Sequence, residues 1–136
     1  MPNEMKMYNV PQLGMPLGQY SHVTRVKATE FIFIAGLVGT DENGKLAGAQ
    51  DFMAQVEKTF DNIRVALASA GATWANVVQF TTYLVHSQDI PKLMEFRQRE
   101  FPRMFPSKIY PPNTLLMVDR LVQEPLLVEV QTVAAI

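Results

Sequence analysis

Two hydrophobic periods take turns along the chain. Apolar and polar residues alternate from Ser21 to Ala28, and Phe31-Ile32-Phe33-Ile34-Ala35-Gly36 is apolar without a break, which predicts two strands, the second covered on both faces and central in its sheet. Asn43-Gly44, behind them, readily takes the positive φ angles of a tight turn, so the chain reverses there. Met53, Val56, Phe60, Ile63, Leu67 and Ala70 then step by three and four. That spacing predicts an amphipathic helix opened by Asp51 as its cap and closed at Gly71, where a left-handed residue belongs, with Lys58 and Arg64 on the wet side.

Period two returns over Asn76 to His86, with Val78, Phe80, Thr82 and Leu84 on one face and Val77, Gln79, Thr81, Tyr83 and Val85 on the other. A second helix is expected from Asp89, whose carboxylate can cap it and which is followed by Pro91 in the first turn. Leu93, Phe96 and Phe101 form its inward side. Pro102 lacks an amide donor and disfavours helix at Phe101, so the helix is expected to stop there and the chain to run irregularly to Pro112. Strands over Asn113 to Asp119 and Leu126 to Ala134 close the order, and a short strand near Met5 to Val10 precedes it. The class is α+β: a mixed sheet with two helices on one face.

Composition narrows the chemistry. The chain has 136 residues, 48% of them hydrophobic, and no linker or repeat divides it, so a single domain over 1–136 is expected, large enough to bury its own core. Twelve Lys and Arg against thirteen Asp and Glu leave a net charge of −1, which argues against a nucleic-acid partner. The absence of Cys excludes thiol nucleophiles, disulfides and cysteine-held metals. With only His22 and His86 and no clustered carboxylates, no metal site is expected. The start, Met-Pro-Asn-Glu-Met-Lys, leads into Tyr8, Pro11 and Pro16 without a continuous apolar segment, so neither a signal peptide nor a membrane span is expected, and a cytoplasmic protein is the simplest reading. Trp74 and the eight Met residues read as packing.

One residue breaks the pattern. Leu126, Val128 and Val130 share one face of the last strand, and Leu127, Glu129, Gln131 and Val133 share the other. An ionised carboxylate among apolar neighbours either faces water, the ordinary fate of a Glu, or sits in a cleft with donors around it.

Several fragments then fall into a recognisable order: Gly18-Gln19-Tyr20-Ser21, the strand end Phe33-Ile34-Ala35-Gly36, Ala68-Ser69-Ala70-Gly71-Ala72 followed by Val77-Val78, and Val128-Glu129-Val130. Together they resemble the reactive intermediate deaminase (RidA, or YjgF) family from about Gly18 to Ala134. The resemblance implies a chorismate-mutase-like α+β domain assembled as a homotrimeric barrel, with a small-molecule cleft between subunits. It also implies hydrolysis of enamines or imines released by pyridoxal-phosphate enzymes, without a cofactor in the protein itself. Carried over, the water-orienting Glu corresponds to Glu129 and the cleft-lining Tyr to Tyr20, the two expected catalytic residues. The carboxylate-clamping Arg of the family falls at Asn113 in Pro111-Pro112-Asn113-Thr114, a Ser before the strand-end Gly falls at Ala35, and an Asn of the second helix falls at Met94. Asn113, Thr114, Ala35, Gly36 and Met94 are therefore the expected substrate-binding set, joined by His22, which lies two residues after Tyr20 and on the same face if the strand has begun.

Losing a bidentate, charge-assisted pair removes roughly 1.5–3 kcal/mol of carboxylate binding. The expected activity is thus a RidA-like enamine or imine deaminase retuned away from simple 2-imino acids. The alternative is a non-catalytic trimer that binds a small neutral metabolite or a protein partner in the same clefts. A substitute cation could come from Arg25, Lys27 or Arg120. Ribonuclease activity, attached to some relatives, fits poorly with the near-neutral charge. His86, at a strand end, reads as structural.

Overall fold

The computed structural model describes residues 4–136, so residues 1–3 of the expected 1–136 unit lie outside it. The elements are β1 (Glu4–Tyr8), β2 (Val23–Lys27), β3 (Phe31–Leu37), α1 (Phe52–Ser69), β4 (Val77–Leu84), α2 (Ile90–Met104), β5 (Asn113–Met117) and β6 (Val128–Ala135). β1 and β2 form an antiparallel ribbon of their own. The other four strands make a mixed sheet in the order β3-β6-β4-β5, with β4 and β5 parallel and the remaining pairs antiparallel.

Local chemistry sets the ends of α1 as the sequence predicts. Asp51 accepts a hydrogen bond from the Ala54 N–H at 3.0 Å, and Gly71 sits at φ +74°. The amides of Gly71 and Ala72 turn back to the carbonyls of Ala68 and Leu67 at 3.0 and 2.9 Å, the paired bonds of a Schellman stop. The Asn43-Gly44 turn is also present, with Gly44 at φ +80° and Asp41 accepting from the amides of Asn43 and Lys45.

Both helices lie on one face of the four-stranded sheet and bury an aromatic cluster against it. The Phe60 ring centroid is 5.0 Å from Phe96, 5.7 Å from Phe80, 5.8 Å from Phe101 and 6.1 Å from Trp74. Each such side chain contributes about 2–3 kcal/mol by leaving water, so α1, α2 and β4 are held in fixed register. Gln55, buried on α1, donates to the carbonyls of Gly48 and Pro125 and accepts from the Leu127 N–H at 2.9 Å. This anchors the start of β6, and with it Glu129.

Four expectations are corrected. β3 is an edge strand, not a central one: it pairs only with β6, and Phe31 and Phe33 are 51% and 77% exposed because the helices cover only the opposite face. A continuous apolar run says that two faces are apolar, not that the same chain covers both. In β4, a bulge between Val77 and Gln79 turns Val77 into the core beside Phe80 and leaves Val78 to accept a hydrogen bond at its carbonyl from Thr24 Oγ1. α2 passes through Pro102 to Met104. The donor Pro102 lacks would have served the carbonyl of Gln98, an exposed residue whose oxygen water can satisfy, while buried Phe101 and Phe105 hold the last turn and the Phe105 N–H bonds the Phe101 carbonyl at 2.8 Å. Asp89 stands at the start of α2, yet its carboxylate makes no capping bond and instead lies 3.7 Å from Lys92 Nζ.

Candidate functional site

A cleft of about 410 Å³ opens between α2, β5 and the segment that leads into β2. Leu17, Gly18, Tyr20, Ile90, Met94, Arg97, Asn113 and Leu115 line it. Three of the expected residues, Tyr20, Asn113 and Met94, therefore come together. Arg97 does so unexpectedly. Leu93, Arg97 and Phe101 follow at intervals of four on the buried stripe of α2, and Arg97 is only 1% exposed.

The guanidinium is poorly compensated. Its Nη2 donates to Thr82 Oγ1 at 3.0 Å, and Thr82 donates in turn to Asn113 Oδ1 at 2.7 Å. Nε is buried without a partner, and among the described residues no carboxylate comes within ion-pair distance. The Phe101 ring, 5.6 Å from the guanidinium carbon, supplies a cation–π contact. Burial pulls the group well below the ordinary guanidinium value, to about 10, so it stays protonated at neutral pH. With Asn113 Oδ1 engaged by Thr82, the amide directs its Nδ2 donors elsewhere.

Tyr20 and His22 are fixed by backbone groups. Tyr20 Oη accepts from the Leu17 N–H at 3.1 Å, which leaves its own O–H to donate. His22 Nδ1 accepts from the Val10 N–H at 3.0 Å, its backbone N–H donates to Asn9 Oδ1 at 3.1 Å, and its ring meets Tyr20 edge-on at 6.5 Å. The ring proton of the neutral imidazole thus belongs on Nε2. His22 braces Tyr20 and the connection from β1 to β2, and it stands outside the cleft wall.

Ala35, Gly36, Thr114 and Glu129 lie on the other face of the sheet. A bulge between Ile34 and Leu37 presents Gly36 to Glu129. A Cβ on residue 36 would meet Glu129 Cδ at 2.7 Å and Cγ at 2.9 Å, so only glycine lets the carboxylate lie over this backbone. Glu129 pairs across to Tyr83, and Thr114 pairs to Thr81. Among the described residues the Glu129 carboxylate has no hydrogen-bond or ion-pair partner. Asn113 pairs with Phe80 and Glu129 with Tyr83, three residues along β4 or about 10 Å, and the two side chains leave opposite faces. One chain does not bring the expected catalytic acid to the expected binding amide.

The other candidate cations are elsewhere. Lys27 lies 3.9 Å from Glu4, Arg25 stands on the same ribbon, and Arg120 pairs with Glu124 at 3.1 Å. Arg97 was missed, although its place on the Leu93-Phe101 stripe was visible in the spacing. Among the described residues no group of three His, Cys, Asp or Glu could hold a metal ion, and no helix is long and apolar enough to cross a membrane.

A mixed four-stranded sheet with two helices on one face and a largely apolar cleft beside the second helix defines an α+β domain with a small-molecule-sized site. The endoribonuclease L-PSP family profile matches residues 12–136, and the chain belongs to this family, whose members include the RidA/YjgF and RutC proteins. A RutC family protein of Pyrococcus abyssi is 31% identical over 109 residues, which is 79% of this chain and 84% of that one. The 3-aminoacrylate deaminase RutC of Acinetobacter baylyi is 25% identical over 110 residues, 81% and 87% of the two chains. The crystal structure of YyfB of Yersinia pestis, a conserved Rid family protein described as of unknown function, superposes with a TM-score of 0.85 at 28% identity over 97% of this chain and 98% of that one.

Proposed function

We propose that the protein is a hydrolytic deaminase of enamines or imines, acting in clefts shared between copies of the chain in a homotrimer and retuned away from the simplest 2-imino acids. The observation that carries this reading is the division of the site: a lined cleft with donors and no base on one face of the sheet, and an unpartnered carboxylate over a glycine on the other. A second copy that docks on the exposed Phe31 and Phe33 face would hide apolar surface and supply the missing half. The family includes relatives named as deaminases, of which the Acinetobacter protein is one.

An imine carbon is already electrophilic, so the protein need only orient substrate and water and move protons. Glu129 takes a proton from water as the water oxygen adds to the C=N carbon and passes it to the nitrogen, giving an amino-alcohol; its hydroxyl proton then moves to nitrogen through the same carboxylate as the C–N bond breaks, and ammonia and a carbonyl compound leave. Tyr20 Oη and Asn113 Nδ2 hold the substrate. Arg97 reaches the cleft from behind Thr82, recessed from the strand on which Asn113 sits. The apolar wall of Leu17, Ile90, Met94 and Leu115 suits 2-iminopropionate badly, because a single methyl group leaves most of that wall uncovered. The net charge of −1 keeps ribonuclease action the weaker reading.

Imines generated in situ by an amino-acid oxidase test the proposal. Wild-type protein should clear a leucine-derived imine at least about tenfold faster than 2-iminopropionate, and Glu129→Gln should lose about two to four orders of magnitude while remaining assembled. Unchanged turnover in Glu129→Gln refutes it. The apolar wall of Leu17, Ile90, Met94 and Leu115 favours the binding-only alternative, which predicts no wild-type turnover of any imine and ligand affinity indifferent to Glu129→Gln.

A further inference from the structure

We infer that Arg97 is the anion-binding group of the cleft, and that the cleft takes a small organic monocarboxylate with an apolar body. The inference deepens the proposed function and rests on it for the location of the site. Arg97 uses one hydrogen bond, from Nη2 to Thr82, while Nε is buried and unpartnered and Nη1 bonds nothing among the described residues. A buried cation with unused donors is costly unless an anion meets it, because burial removes water and returns nothing. Among the described residues no acidic side chain pairs with it: Asp89 faces Lys92, Glu100 and Glu57 are engaged by Arg99, and Glu129 lies across the sheet.

The rest of the cleft selects the remainder of the ligand. Leu17, Ile90, Met94 and Leu115 give an apolar wall, and Tyr20 and Asn113 add two neutral donors. A volume of about 410 Å³ is at the small end of ligand sites. Thr82 serves as a positioning residue, fixing the Arg97 head and turning the Asn113 amide at once.

Butyrate and butyramide share a shape and differ in charge, and titrating both calorimetrically at low ionic strength tests the assignment. Wild-type protein should bind butyrate about tenfold to hundredfold more tightly than butyramide. Arg97→Gln should bring the two to equal affinity, and Arg97→Lys should keep part of the preference. In the unsubstituted protein, the Arg97 Nε–H resonance should move on adding butyrate and stay still with butyramide. Equal affinities in wild type, absence of butyrate binding, an unmoved Arg97 resonance, or a preference that survives Arg97→Gln each overturn the inference; a carboxylate of a neighbouring copy capping Arg97 would give the first three. Imine turnover sensitive to Glu129→Gln without butyrate preference sinks Arg97 and leaves the deaminase standing. A butyrate preference lost in Arg97→Gln without turnover does the reverse.

Discussion

The two faces of the sheet carry polar groups under opposite rules. On the helix side, Arg97, Thr82 and Asn113 form a hydrogen-bonded chain fixed by the aromatic cluster around Phe60, and the cost is a buried, unpaired charge. On the outer side, Glu129 has no hydrogen-bond or ion-pair partner among the described residues and is positioned by shape, through a bulge and a glycine that makes room for it. On the proposed function each face is half a site: one has donors and no base, the other a base and no donors.

The contrast can be broken at the glycine first. Gly36→Ala forces a Cβ against Glu129 Cδ and Cγ at 2.7 and 2.9 Å; the flexible carboxylate must swing aside, so the outer half should misalign with little change in denaturant unfolding and a larger proportional loss of turnover than of ligand affinity. A substitution on the helix side should act on unfolding and binding instead. Arg97→Met removes the uncompensated charge and keeps the volume, so unfolding should become about 1–2 kcal/mol harder while any carboxylate binding disappears. Destabilisation by Arg97→Met would show that the guanidinium is structural. The smallest effect lies far from both faces. The Lys45 backbone N–H holds the Asp41 carboxyl below its ordinary 3.8, and Arg64 does the same for Asp61. A folded value below the unfolded one stabilises above pH 3.8 and is lost as pH falls beneath it. Unfolding midpoints should therefore decline under acid, and Asp41→Asn should flatten part of that decline without touching either half-site.

Much of this was legible in the sequence, and the parts that were not share a cause. The order of elements, the α1 cap at Asp51, its stop at Gly71 and the Asn43-Gly44 turn all follow from local chemistry, and local chemistry was enough. Where the outcome depended on what packs above a residue, the pattern ran out. Phe31 and Phe33 read as doubly covered, but only one face is covered within the chain. Period two could not foresee the bulge that swings Val77 inward, and Pro102 stayed helical because packing of Phe101 and Phe105 outweighed one missing bond. Of the expected site residues, Tyr20, Asn113 and Met94 share the cleft, Ala35, Gly36, Thr114 and Glu129 share the outer face, and His22 braces Tyr20 from outside. Arg97 is legible only in the spacing Leu93-Arg97-Phe101, which places a cation on a buried stripe, whereas the resemblance points to the strand position held by Asn113.

Subunit mixing tests the shared site most directly. Glu129→Gln and Asn113→Ala each disable one half, and each should be inactive toward the leucine-derived imine by itself. When the two are dissociated and reassembled together in equal amounts, about a quarter of all the clefts in the mixture pair an intact outer face with an intact helix-side cleft, so turnover should recover to about that fraction of wild type. Hybrids as inactive as their parents would mean that both halves belong to one chain, and the account of a site built between copies would be wrong.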